Sequence, residues 1–166
     1  GTWRLDGRTF NPKKHPHIDY LRKQLPPFEE HPIHIRIRGS IPKASGLGSS
    51  AALSVALCGA LQQLRGEDLN PMQASELSHS AEANAQGGRA SPMDTATSSF
   101  GGFVVLSDTV EDDLEYLGVR TMDVEGATLQ WHLHTFNAEI PDGVALVIGN
   151  TGVHGSTSSM VKHVAD

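Results

Sequence analysis

Cysteine is nearly missing: Cys58 is the one thiol in 166 residues. That excludes an intrachain disulfide framework and a multi-cysteine zinc site, and it suits a reducing compartment, so a cytoplasmic location is expected. Aromatic residues make up only 5%, and no aromatic stripe accompanies the modest basic excess near the start, so a nucleic-acid surface is not expected. No stretch approaches the roughly 20 apolar residues of a membrane span, and no membrane partner is expected. Internal repeats are absent. So are GxxxxGK[ST] and GxGxxG, which removes the P-loop and the dinucleotide fingerprint. The chain opens on Gly1 rather than Met and lacks a charged-then-apolar signal segment. The expectation is an internal piece of a longer protein.

What is present is a globular composition. Apolar residues reach 38% and charged residues 19%, enough for one domain with a real core and too apolar for a disordered chain. The net charge of −6 is uneven: residues 1–43 hold nine Lys/Arg against four Asp/Glu, whereas 108–126 hold seven acids against Arg120 alone. That acidic stretch is expected to be a solvated loop or surface insertion.

Along the chain, Ile18, Leu21 and Leu25 fall at helical spacing and predict a short helix. Residues 33–38 alternate strictly, predicting a strand with Ile33, Ile35 and Ile37 on the core face. From Ser50 the run AALSVALCGALQQL predicts a buried helix of about four turns, stopped by Gly66, with Cys58 as a packed thiol. Pro71 opens a second helix that ends at Gly87-Gly88. Strands are expected at 103–106, 129–136 and 144–148, and Ser156 is expected to cap a last helix. This irregular mixture with a hairpin-like pair favours α+β over a regularly alternating parallel α/β fold.

The sharpest feature is Pro42-x-x-x-Gly46-Leu47-Gly48-Ser49-Ser50-Ala51-Ala52, set between a strand and a buried helix. Glycines let the backbone approach a ligand, the helix start offers unpaired N–H groups, and the serines add hydroxyls, so the segment makes an anion cradle. A plain glycine turn with a serine N-cap is the competing reading. The second feature is Asp94, alone among small hydroxylated residues between two glycine pairs. A carboxylate there could take or orient the proton of a phosphoryl acceptor; an Asp that merely caps a turn or helix is the competing reading.

PKASGLGSSAAL resembles the second conserved motif of the GHMP kinases, the galactokinase, homoserine kinase, mevalonate kinase and phosphomevalonate kinase superfamily. QGGRASPMDTATSSFGG resembles the substrate-site motif of its mevalonate kinases, most of all the archaeal type. The resemblance implies a ribosomal protein S5 domain 2-like N-terminal domain over residues 1–140, incomplete at its start, with 141–166 beginning a C-terminal α+β domain. It implies an ATP- and Mg2+-dependent kinase that phosphorylates the hydroxyl of mevalonate in isoprenoid precursor synthesis. ATP would lie on Pro42, Gly46, Leu47, Gly48, Ser49, Ser50 and Ala51, Mg2+ on Ser50 and Glu82, and substrate on Ser91, Asp94 and Thr95, with Asp94 as catalytic carboxylate. Glu76 is the fallback metal ligand, and a surface-helix role for Glu82 stays open. Arg89 is a candidate source of charge. Val147–Thr157 resembles the strand-turn-helix at which mevalonate kinases begin their C-terminal half. The family's lysine motif is not found in residues 1–30, so weak activity and uncovered apolar surface are expected of the isolated chain, and a homodimer is left open. The alternatives are another superfamily kinase, such as phosphomevalonate kinase or homoserine kinase, a related decarboxylase, or a non-catalytic nucleotide-binding relative.

Nine histidines suggest no metal site. His132 and His134 share a strand face without a third ligand and read as surface residues, as His15 and His17 beside Pro16 read as solvated. Trp3 and Trp131 read as packing residues. GLGSS does not form a GxSxG nucleophile elbow.

Overall fold

The computed structural model describes residues 2–25, 31–42, 45–88, 90–124, 126–139 and 141–149. The expected last helix beyond Ser156, Arg89, and the turn after Gly149 lie outside the described residues.

Two three-stranded sheets flank a helical layer. In the first, β1 (Arg4–Leu5) pairs antiparallel with β2 (Arg8–Thr9) and parallel with β3 (His34–Ile35). The β1–β2 turn is Asp6-Gly7, both at positive φ (47° and 80°), the backbone that a two-residue hairpin of matching twist requires. β3 is shorter than the six-residue alternation suggests, yet Ile33, Ile35 and Ile37 do pack against the core. Beyond Ile35 the chain is tied by the Asp6 carboxylate, which accepts the Ile37 N–H at 3.0 Å in place of a ladder bond.

The helices are α1 (Pro16–Gln24), α2 (Ser49–Leu64), α3 (Pro71–Ala85) and α4 (Met93–Phe100). Pro16 and Pro71 open their helices, where a missing N–H costs nothing. The Asn70 side chain accepts the Gln73 N–H at 3.0 Å and caps α3. Trp3, Leu5, Ile18, Leu21, Leu25, Leu57, Cys58, Leu61, Ala74 and Ala81 form one core between α1, α2, α3 and the first sheet. Burial pushes the Cys58 thiol up to about 11, which makes it inert packing. α2 is buried on one side only: its other side opens on an apolar groove of about 350 Å³ between Val55, Gly59, Leu69 and Pro71.

The second sheet runs β4 (Phe103–Ser107), β6 (Ala127–Phe136), β5 (Glu115–Val124), all antiparallel. Here several expectations need correction. Half of the acidic stretch is the ten-residue strand β5, not a loop. Its inward positions Arg120, Met122 and Val124 are half-buried while Val119, Thr121 and Asp123 are exposed, so a period of two lay hidden under the acid count. α4 was not expected as a helix. Its small hydroxylated residues have weak helical preference, but Thr95 and Ala96 are buried by packing on α2 and α3. Residues 144–148 form no strand. Val144, Leu146, Val147 and Ile148 are 60–88% exposed, and an apolar run becomes a strand only where a sheet edge receives it.

The histidines also differ from expectation. His134 is fully buried, and its Nε2 accepts the Glu111 N–H at 3.0 Å. His15 stacks on Phe10, and His17 lies in the first turn of α1, half-buried against α3. Pro16 starts a helix here instead of breaking a loop, which turns both rings inward.

Candidate active site

The loop before α2 is held open by two glycines in the left-handed region, Gly46 at φ 75° and Gly48 at φ 62°. Pro42 is exposed, and its carbonyl accepts the Ser45 hydroxyl at 2.8 Å, which folds the loop onto itself. Gly48 is the residue that starts α2, and no side chain caps it. The serine N-cap reading is therefore excluded: Gly48 is the cap residue and has no side chain to offer, Ser49 and Ser50 are the first helical residues, and Ala51 is buried behind them. Leu47 is 39% exposed at the loop tip.

Behind the loop stands Glu82 of α3, 6% exposed. Ser50 Oγ donates to its Oε2 at 3.1 Å, Gln86 Nε2 to the same oxygen at 3.0 Å, and Ser54 Oγ to Oε1 at 3.4 Å. His17 Nε2 lies 3.3 Å from Oε1. Burial alone would raise this carboxyl, but His17 beside it and the Ser50 and Gln86 donors outweigh burial and hold it below the ordinary glutamate value. A surface-helix role for Glu82 is excluded by this burial. Glu76, the fallback, lies instead near Arg120.

Asp94 enters from the third side, in the first turn of α4. Its carboxylate packs on the loop so closely that a Cβ on Gly48 would come 3.3 Å from Cγ and 3.4 Å from Oδ2. The group itself is exposed. Ser91 is exposed, and its Oγ accepts the Met93 N–H at 3.2 Å. Thr95 is 1% exposed with its hydroxyl bonded to the Pro92 carbonyl at 3.1 Å, so in this structure it braces the start of α4.

Three helices thus bring Ser50, Glu82 and Asp94 to one glycine-rich helix start. His17, Ser54 and Gln86 complete the Glu82 shell and were missed from sequence. Gln86 at i+4 from Glu82, and Ser54 at i+4 from Ser50, were legible as helical neighbours; the approach of His17 is purely tertiary. Among the described residues no cluster of three or more His, Cys, Asp and Glu could hold a metal by itself. A hydroxyl and a carboxylate 3.1 Å apart nonetheless fit an ion that takes hard oxygen donors and shares them with phosphate.

An α+β domain whose uncapped, glycine-rich helix start faces two carboxylates is the class of protein that this fold and site define. Residues 15–102, more than half of the chain, match the family model for the GHMP kinases N terminal domain, and the chain belongs to that family. Among its relatives are proteins named mevalonate kinase. That of Methanothermobacter thermautotrophicus is 36% identical over 150 residues, covering 90% of this chain and 41% of its own length. That of Thermococcus sibiricus is 33% identical over 132 residues, covering 80% and 32% respectively. That of Saccharolobus solfataricus is 29% identical over 143 residues, covering 80% and 45%. The chain spans less than half the length of these relatives.

Proposed function

We propose that the protein carrying this chain transfers the γ-phosphoryl group of ATP to the hydroxyl of mevalonate, in the cytoplasm, as a step of isoprenoid precursor synthesis. Residues 1–140 would form its nucleotide-binding domain and 141–166 the beginning of a second. The observation that carries the reading is the Asp94 carboxylate packed on Gly48, the glycine that caps the start of α2 without a side-chain bond. The similarity to proteins named mevalonate kinase supports the choice of alcohol.

In this reading the backbone from Gly46 to Ala51 cradles the phosphates, aided by the positive end of the α2 dipole. Pro42 and Leu47 shape the loop. Ser50 and Glu82 would hold Mg2+, which neutralises phosphate charge when bound. Glu82 suits this role because it is ionised and already set by Ser54 and Gln86. Asp94 accepts the substrate hydroxyl proton as the new O–P bond forms and the bond to the bridging β–γ oxygen breaks, leaving ADP. Ser91 lies at the same opening and is assigned to substrate. Thr95 acts by fixing the α4 start, not by contact.

The test is turnover of ATP by the full-length gene product with mevalonate, its phosphates, homoserine and galactose. Mevalonate is expected to be the preferred acceptor, and Asp94→Ala is expected to lower kcat by about 10²-fold or more. Absence of turnover with mevalonate, or a few-fold effect of Asp94→Ala, overturns the reading.

A further inference from the structure

Arg120 is the one cation in the acidic stretch, and it points at α3. Its Nε–H donates to His79 Nδ1 at 3.0 Å, Nη2 to Ser80 Oγ at 2.8 Å, and Nη1 to the Thr121 carbonyl at 2.6 Å. On the far edge of the ring, His79 Nε2 bonds the Ala90 carbonyl at 2.9 Å. A guanidinium only donates and a carbonyl only accepts, so the two partners admit one form of the ring: neutral, with its proton on Nε2. Burial holds the imidazole below its ordinary pKa, and the charge of Arg120 acts the same way, against the Ala90 bond and Glu82. Trp131, opposite Arg120 in the β5–β6 register, meets the ring in a T-shaped contact with the ring centroids 5.6 Å apart. The ring is fully buried and clamped from the sheet.

The segment tied to its other end carries Asp94. Ala90 leads into Ser91, whose hydroxyl accepts the Met93 N–H, then buried Pro92, whose carbonyl accepts the Thr95 hydroxyl. These bonds make residues 91–95 a stiff unit, so the place of the Ala90 carbonyl sets the place of the Asp94 carboxylate on Gly48. We propose that Arg120 is a positioning residue for phosphoryl transfer: by imposing the Nε2–H tautomer on His79 it pins Ala90 and registers Asp94 against the phosphate loop. Neither Arg120 nor His79 touches the reacting atoms. Without Arg120 the proton is free to move to Nδ1, and a bare Nε2 then faces the Ala90 carbonyl, lone pair to lone pair. The inference rests on the kinase reading above for its functional readout, but not for its structural one.

The experiment compares Arg120→Met, Arg120→Lys, His79→Gln and the double variant Arg120→Met/His79→Gln in the full-length gene product. Glutamine at 79 keeps an amide donor at a reach similar to Nε2 and has no tautomer to choose. Arg120→Met is expected to lower kcat about 10- to 100-fold, the cost of a misplaced catalytic group, with KM for ATP within about threefold. The double variant is expected to match His79→Gln alone. In ¹⁵N spectra His79 is expected as the Nε2–H tautomer in the parent and in Arg120→Lys, and with Nδ1–H populated in Arg120→Met. Equal losses from Arg120→Met in both backgrounds overturn the proposal, because Arg120 then acts by a route other than His79. So does a parent His79 carrying its proton on Nδ1, which is readable even if Arg120→Met fails to fold. If the parent enzyme phosphorylates none of the alcohols, the kinase reading fails, while the ¹⁵N spectra still decide whether Arg120 sets the tautomer.

Discussion

Glu82 carries the clearest electrostatic signature of the site. Its carboxyl is held below the ordinary value by His17, Ser50 and Gln86 against the opposing effect of burial. A group with a depressed folded pKa contributes stability above its unfolded pKa, and that contribution is lost as pH falls through the folded value. The full-length protein is therefore expected to lose thermal stability relative to Glu82→Gln as pH drops from about 5 to about 3, read as two Tm-against-pH curves that converge or cross. Parallel curves would show that the carboxylate is not held as described. Gly48 gives a second prediction at this scale. At φ 62°, with a Cβ 3.3 Å from Asp94 Cγ, alanine there is strained and also pushes the carboxylate, whereas a Cβ on Gly46, at φ 75°, meets nothing within 4 Å. Both alanines are expected to cost roughly 1–2 kcal/mol of backbone strain. Only Gly48→Ala is expected to add a further loss in kcat, which steady-state kinetics beside thermal melting would separate.

Among the elements, α3 joins the parts of the site. It presents Glu82 to α2 and His79 to β5, and it begins at a cap that one side chain supplies. Asn70→Ala is expected to cost about 1 kcal/mol and to lower Tm by a few degrees without a large change in KM, because no site residue loses a partner. Two of the three helices that carry the site, α2 and α3, were legible because each has a start signal and a stop signal. Pro71 and Gly87 bound α3, and the glycine loop and Gly66 bound α2. β5 was illegible because seven acids in residues 108–126 outweighed a short alternation, and its inward arginine looks like a surface charge until α3 is placed against it. α4 was illegible for the opposite reason: its residues favour turns locally, and only packing of Thr95 and Ala96 makes them helical. The run 144–148 reads as a strand by hydropathy and is not one, since pairing depends on an edge elsewhere.

For the molecule as a whole, the catalytic candidates were legible and their setting was not. Ser50, Glu82 and Asp94 stand out by local chemistry and by resemblance, while His17 reaches Glu82 from α1 and Arg120 reaches α3 from β5 only through tertiary approach. The same geometry predicts how ligand should couple to stability. Nucleotide on the loop, with metal between Ser50 and Glu82, would join α2 and α3 and thus two of the elements that share the main core. A ligand that binds only the folded state stabilises it by about 2.7 kcal/mol at one hundred times its Kd. Full-length protein is therefore expected to melt higher with ATP, and higher again when Mg2+ replaces EDTA in the same solution. In Glu82→Gln the rise with ATP alone is expected to persist and the increment from Mg2+ to shrink towards zero, because in the proposed reading backbone would cradle the phosphates and the Glu82 side chain would hold the metal. Loss of both rises would mean that Glu82 supports the loop itself, and retention of both would place the metal elsewhere.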